Sequence, residues 1–116
     1  MTIGFLLRTG PYTSQNVDTC YHLAKRFLAK GRGVRMFLYE DGVFNLAKEI
    51  QSPQERNLAG MMAELVRKGA KIRGCGTCAK FRGLKRADVI EGTKLAGIVV
   101  FSNYLKECDR FLSFGF

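Results

Sequence analysis

The sequence predicts an α/β fold: a three-layer α/β/α sandwich around a mainly parallel sheet of about five strands, formed as a single domain over residues 1–116. Three observations carry that expectation. Short apolar runs of strand length alternate with stretches whose apolar residues recur every three or four positions, the connections between them are short, and Gly or Pro punctuates nearly every junction. A chain of 116 residues also buries roughly two-thirds of its unfolded surface, enough to fold without disulfide or metal staples.

The elements follow in order. Thr2 to Leu7 is an apolar run closed by Arg8-Thr9-Gly10-Pro11, and reads as a buried strand. Behind the potential caps Thr13 and Ser14, apolar residues at Val17, Cys20, Tyr21, Ala24, Phe27 and Leu28 line one helical face, and Gly31 is placed to end the helix. Val34 to Tyr39 is a second strand closed by Glu40-Asp41-Gly42, where Gly42 is expected to supply a positive backbone angle. Ser52, Pro53 and Glu55 mark the start of a second helix whose face is Leu58, Met61, Met62, Leu65 and Val66, ending at Gly69. Ala70 to Arg73 is a short third strand, Thr77 to Arg82 a short helix, and Thr93 to Ala96 a brief fourth strand. Ile98 to Glu107 fits a helix better than a strand, because Ile98, Phe101, Leu105 and Cys108 share a face; Phe111 to Phe114 is then a terminal strand.

Composition narrows the function classes. Hydrophobic residues make up 47% and charged residues 25%, which excludes collagen-like and wholly disordered chains. No run approaches the ~20 apolar residues of a membrane span, and Ile3 to Leu7 has no cleavage pattern behind it, so a cytoplasmic protein that meets no membrane is expected. Nineteen Lys and Arg against ten Asp and Glu give a net charge of +9, which attracts acidic partners. A nucleic-acid surface is left open by this charge and is not favoured, since the cations interleave with apolar positions. Four cysteines without an export signal point to a reducing compartment, where thiols serve chemistry more often than stapling.

Two of the four form Cys75-Gly76-Thr77-Cys78, directly after the third strand. In an open α/β sheet, functional groups collect at the carboxyl edge of the strands. A helix beginning at Thr77 would aim free N–H groups at the Cys75 sulfur, and Arg73, Lys80 and Arg82 add positive charge, so Cys75 is expected to be a nucleophile at neutral pH. Several uses compete. The sulfurs are small hydrophobes in the plainest reading. Structural zinc lacks a second ligand pair, His22 being the only histidine, and no metal or other cofactor is expected. Dithiol–disulfide exchange suits a Cys-x-x-Cys at a helix start, and persulfide transfer needs one nucleophile in an electropositive pocket.

Three blocks add to this reading: Phe37-Leu38-Tyr39-Glu40-Asp41-Gly42-Val43, then Cys75-Gly76-Thr77-Cys78-Ala79-Lys80-Phe81-Arg82-Gly83, then Cys108-Asp109-Arg110-Phe111-Leu112-Ser113-Phe114. In this order they resemble the DsrE family of small sulfur-transfer proteins, including its YchN-like and TusD-like branches, over essentially the whole chain. The resemblance implies a homo-oligomer, trimer or hexamer, that takes sulfur from a small carrier protein and passes it on as a cysteine persulfide. It assigns the sulfur-accepting role to Cys75, which is followed by six residues and then Arg82-Gly83, as in the TusD-like pattern. Cys78 resembles the second thiol of the YchN-like branch and has no counterpart in the TusD-like one. Related relays feed tRNA thiolation or sulfur oxidation, and the resemblance also implies that the Asp41-Gly42 loop borders the cysteine pocket.

The remaining chemistry-bearing residues read as structural. Cys20 and Cys108 lie on helical apolar faces, His22 falls at solvent or a subunit contact, and Met61 and Met62 fill core. Gly31-Arg32-Gly33 is not a phosphate loop, because it sits at a helix C-terminus, where the dipole repels anions.

Overall fold

In the computed structural model, which describes residues 1–116, five parallel strands form one sheet: β1 (Thr2–Leu7), β2 (Gly33–Leu38), β3 (Lys71–Cys75), β4 (Lys94–Ala96) and β5 (Arg110–Phe114). The spatial order is β4-β3-β2-β1-β5, so the chain runs outward from β1 on one side and returns to add β5 on the other. Every strand pair is parallel, and the expected α/β/α sandwich is the observed one.

Alternation along the strands divides the core in two. One face carries Ile3, Phe5 and Leu7 from β1, Val34, Met36 and Leu38 from β2, and Ile72 from β3. It is covered by α1 (Asn16–Ala29) and α2 (Leu58–Arg67), through Val17, Cys20 and Ala24 and through Leu58, Met62 and Leu65. Each large side chain there is fully buried and contributes roughly 2 kcal/mol by leaving water. The opposite face is more thinly covered. Phe37 of β2, Cys75 of β3 and Phe111 of β5 pack with Cys78 and Ala79 of α3 (Gly76–Phe81) and with Phe101 and Tyr104 of α4 (Ile98–Glu107). Phe101 joins this layer together, lying 5.3 Å from the Phe37 ring and 5.6 Å from the Phe111 ring.

The last helix spans Ile98–Glu107 as the periodicity predicts. Three other expectations are corrected. The second helix starts at Leu58, capped by the Asn57 side chain accepting from Gly60 N–H, and not at Ser52. Ser52 Oγ instead accepts from Gln54 N–H, a local turn that competes with helix. The preceding segment is held as loop from outside: Arg56 pairs with Asp18, and the Tyr12 hydroxyl accepts from Leu58 N–H while donating to the Arg56 carbonyl. Neither Thr13 nor Ser14 is the cap residue of α1; Gln15 occupies that position without a side-chain bond, and Ser14 Oγ accepts from Asn16 N–H. Finally, Glu40–Leu46 is a 3-10 segment, and the positive backbone angle there belongs to Glu40, at φ 52°, not to Gly42.

One charged cluster ties α1 to α2 across the first face. Glu64 accepts from the Tyr21 hydroxyl at 2.6 Å and pairs with Lys25 and Lys68. These donors, the tyrosine foremost, hold its carboxyl down at about 2 against an ordinary 4.5. A carboxylate with a depressed pKa stabilises the fold fully above its unfolded value and loses that contribution as pH falls through the folded one. Glu64→Gln is therefore expected to cost about 1 kcal/mol at neutral pH, with the deficit shrinking between pH 4.5 and 2 as read by urea melts.

Candidate functional site

β3 runs two residues beyond its predicted end and delivers Cys75 to the carboxyl edge of the sheet. There Cys75 is both the last strand residue and the N-cap of α3, with an extended backbone that turns its side chain back over the helix start. Its Sγ accepts from the backbone N–H of Cys78 at 3.4 Å, the bond a serine or threonine oxygen would make at this position.

Cys78 has its own donor. Glu40, two residues past β2 and first in the 3-10 segment, adopts the left-handed conformation, which costs a non-glycine residue on the order of 1 kcal/mol. That conformation accompanies a Glu40 N–H that donates to Cys78 Sγ at 3.2 Å. Each sulfur thus accepts one backbone N–H, that of Glu40 at Cys78 and that of Cys78 at Cys75. Burial chiefly, with the neighbouring Cys75 second, pushes the Cys78 thiol above the ordinary range, while the Glu40 N–H and the Arg82 charge oppose the rise. Both cysteines are buried, at 5% and 8% exposure, under Phe37, Val43, Leu84 and Tyr104.

The three cations expected around Cys75 take different places. Arg82 reaches across to Cys78: its guanidinium donates to the Cys78 carbonyl at 3.0 Å and to Asp41 at 2.7 Å. Arg73 lies on β3 two residues before Cys75, donating to the Ile72 carbonyl, with its charge bearing on the Tyr104 hydroxyl. Lys80 is exposed on α3 and lines a cleft of about 520 Å³ beside Gly76 and Thr77. The loop after β2 does border the pair, through Glu40 and Asp41. Sequence reasoning passed over Glu40 as a sulfur donor and Tyr104 as a cover, because a backbone N–H and a tyrosine on a helical face carry no motif. Of the other cysteines, Cys20 is fully buried on α1 and its thiol is pushed up to about 12 by that burial, while Cys108 caps the end of α4 and is half-buried. His22 is exposed, beside the Tyr21 ring.

Removing the charge of Arg82 tests its bearing on Cys78. A nearby cation favours the thiolate, so Arg82→Gln is expected to push the Cys78 thiol higher and slow its alkylation severalfold at pH 8. Rates read in a Cys75→Ser background isolate that sulfur.

A parallel five-strand sheet between helical layers, with two thiols that each accept a backbone N–H at the carboxyl edge of the sheet, defines a small α/β domain. Residues 1–114 match the model of the DsrE/DsrF-like family, and the chain belongs to that family. It is similar to an uncharacterized protein of Methanopyrus kandleri, with 36% identity over 97% of this chain and 93% of the relative. It is also similar to the sulfurtransferase TusD of Erwinia tasmaniensis, with 30% identity over 94% of this chain and 97% of that one. The crystal structure of the YchN protein from Escherichia coli shares the fold at a TM-score of 0.91, covering 98% of this chain and 99% of its own at 22% identity. No helix of the chain is long and apolar enough to cross a membrane.

Proposed function

We propose that this protein is a sulfur-relay component that accepts a sulfane sulfur at Cys75 as a persulfide and hands it on, with Cys78 as the second thiol. The observation that carries the reading is the Cys75 sulfur at the carboxyl edge of the sheet and the start of α3, accepting the Cys78 N–H, with the second thiol one helical turn away. Family membership and the sulfurtransferase names of the TusD and DsrE relatives support the same chemistry. In the transfer step the Cys75 thiolate attacks the outer sulfur of a donor persulfide. A new S–S bond forms at Cys75, the donor's S–S bond breaks, and its electron pair leaves on the donor thiolate, so no external oxidant or reductant is needed. The donor and acceptor in such a relay are small sulfur-carrier proteins.

Self-association into a trimer or hexamer belongs to this proposal. Ile98, Val99 and Leu105 of α4 are 55%, 67% and 48% exposed, and Phe81 of α3 is 83% exposed, an apolar display that a monomer rarely leaves to water. Sedimentation at micromolar concentration is expected to give a mass above that of one chain.

A second reading, dithiol–disulfide exchange, is favoured by the closeness of the sulfurs, Cys75 being among the causes that push the Cys78 thiol up. The readings part in one experiment. After incubation with glutathione persulfide, intact mass is expected to show one added sulfur per chain, removed by dithiothreitol. A loss of two hydrogens with no sulfur gained in the wild type, together with no sulfur adduct on a Cys78→Ser variant whose Cys75 alkylates normally, would overturn the relay in favour of the disulfide.

A further inference from the structure

The sheet face that carries Cys75 is thinly covered toward β3 and β4: α4 packs on Phe37 of β2 and Phe111 of β5, α3 covers the carboxyl edge, and Lys71 and Lys94 are left exposed. Four cations stand there on three neighbouring strands: Arg35 of β2, Lys71 and Arg73 of β3, and Lys94 of β4. Register sets Arg35 beside Lys71 and Arg73 beside Lys94. Like charges directly opposite in adjacent strands destabilise a sheet, so the arrangement costs stability unless something anionic covers it. Only one carboxylate answers within the chain, Glu107, which pairs with Arg35 at 3.0 Å. Lys71 and Lys94 are exposed and enter no ion pair.

Seven of the chain's own ten acids are engaged, and the other three, Glu49, Glu55 and Glu91, are exposed without an ion pair. Five of its ten carboxylates, those of Asp18, Glu40, Asp41, Glu64 and Glu107, are ion-paired. Asp88 and Asp109 accept from backbone N–H groups. A second copy brings the same four cations and no surplus of acid to this face. Along β3 the positively charged row Lys71, Arg73 points to one end, Cys75, the residues alternating on the same side of the strand.

We propose that this face is the docking surface for an acidic segment of the sulfur-carrying protein partner, which it draws in by charge and lays alongside Cys75. The proposal rests on the relay reading for the identity of the partner, not for the charge match. An acidic polypeptide fits better than single-stranded nucleic acid, because the face offers cations without an exposed aromatic ring on which bases would stack.

The test uses the whole chain and synthetic peptides with a single cysteine, one acidic and one of the same length with lysines in place of the acids. Each is offered as its persulfide for sulfur loading, followed by intact mass, and as its serine analogue for binding, followed by fluorescence anisotropy. The acidic persulfide is expected to load Cys75 at least about tenfold faster than the lysine peptide, with an advantage that falls as salt rises. Lys71→Glu with Lys94→Glu, both changes at exposed positions, is expected to remove that advantage while leaving loading by uncharged 2-hydroxyethyl persulfide unchanged. Equal loading by the two peptides, or an acidic preference that survives the double reversal, overturns the docking surface. So does an RNA oligonucleotide that binds in a manner abolished by the double reversal while the acidic serine peptide does not bind. Should no donor load even the wild-type protein, the relay reading fails by itself; binding of the acidic serine peptide, lost on double reversal, then still upholds the surface, and its absence removes it.

Discussion

Cys75→Ser is expected to abolish sulfur loading, cutting the rate on the order of a hundredfold or more, while Cys78→Ser leaves loading intact and prolongs the product. A serine hydroxyl at position 75 keeps the hydrogen bond from Cys78 N–H but stays un-ionised at neutral pH, so the nucleophile is lost with the local fold preserved. At position 78 the side chain and the backbone do different things. The N–H that faces Cys75 survives substitution, so the attacking sulfur keeps its donor. What disappears is the thiol that can attack a Cys75 persulfide, form the Cys75–Cys78 disulfide and expel hydrosulfide. Time-resolved intact mass after a pulse of glutathione persulfide separates these outcomes: no adduct for Cys75→Ser, and an adduct outlasting that of the wild type for Cys78→Ser. Equal loading of the wild type and Cys75→Ser would place the accepting sulfur elsewhere. The result is not a consequence of access alone, since both sulfurs are buried to nearly the same degree.

Much of this architecture is written in local pattern. α4 is an example: Ile98, Phe101, Leu105 and Cys108 recur at helical spacing although the run Ile98-Val99-Val100-Phe101 is rich in β-branched residues, and periodicity prevails over propensity because Phe101 and Tyr104 must meet the sheet. The start of α2 shows where local pattern misleads. Ser52, Pro53 and Glu55 have the chemistry of a helix entry, but Tyr12 and Asp18, some forty residues away, bind Arg56 and the Leu58 N–H and hold that stretch as loop. A hydroxyl and a carboxylate so distant in sequence leave no local trace. At the site the division is the same. The Cys-x-x-Cys spacing after a strand announces itself, and the capping bond to Cys75 follows from it. Arg82 is visible as a cation one turn beyond Cys78, yet its direction is set by Asp41 across the loop. The Glu40 N–H is visible in no residue type at all, because what matters is a backbone angle.

That angle depends on a close approach between two strand ends, and Gly42→Ala is expected to show it by lowering stability about 3 kcal/mol, roughly 10–20 °C in Tm for a domain of this size. A side-chain carbon at residue 42 would stand 2.2 Å from the Leu7 carbonyl oxygen and 3.0 Å from its carbon. Both are backbone atoms of β1 and cannot rotate aside. The Leu7 oxygen is also occupied, accepting from Tyr39 N–H at 3.0 Å where the chain leaves β2. Relief therefore requires the 3-10 segment to move away from β1, taking with it Asn45, whose side chain bridges the Thr9 and Gly42 carbonyls at 2.9 Å each. Glu40 and Asp41 lie at the head of that segment, so the displacement also draws the Glu40 N–H from Cys78 and Asp41 from Arg82. The same substitution at Gly60 is the control. There an added carbon meets nothing nearer than 3.7 Å, within a helix, and Gly60→Ala is expected to raise stability by about 0.5–1 kcal/mol. Thermal melts followed by far-UV circular dichroism compare the two, and a Gly42→Ala melting point within a few degrees of wild type would show that the loop yields without cost. If the destabilisation appears, the alkylation rate of Cys78 at a temperature where the variant is still folded is expected to change with it, because the sulfur has lost one of the two groups that oppose the upward push of burial.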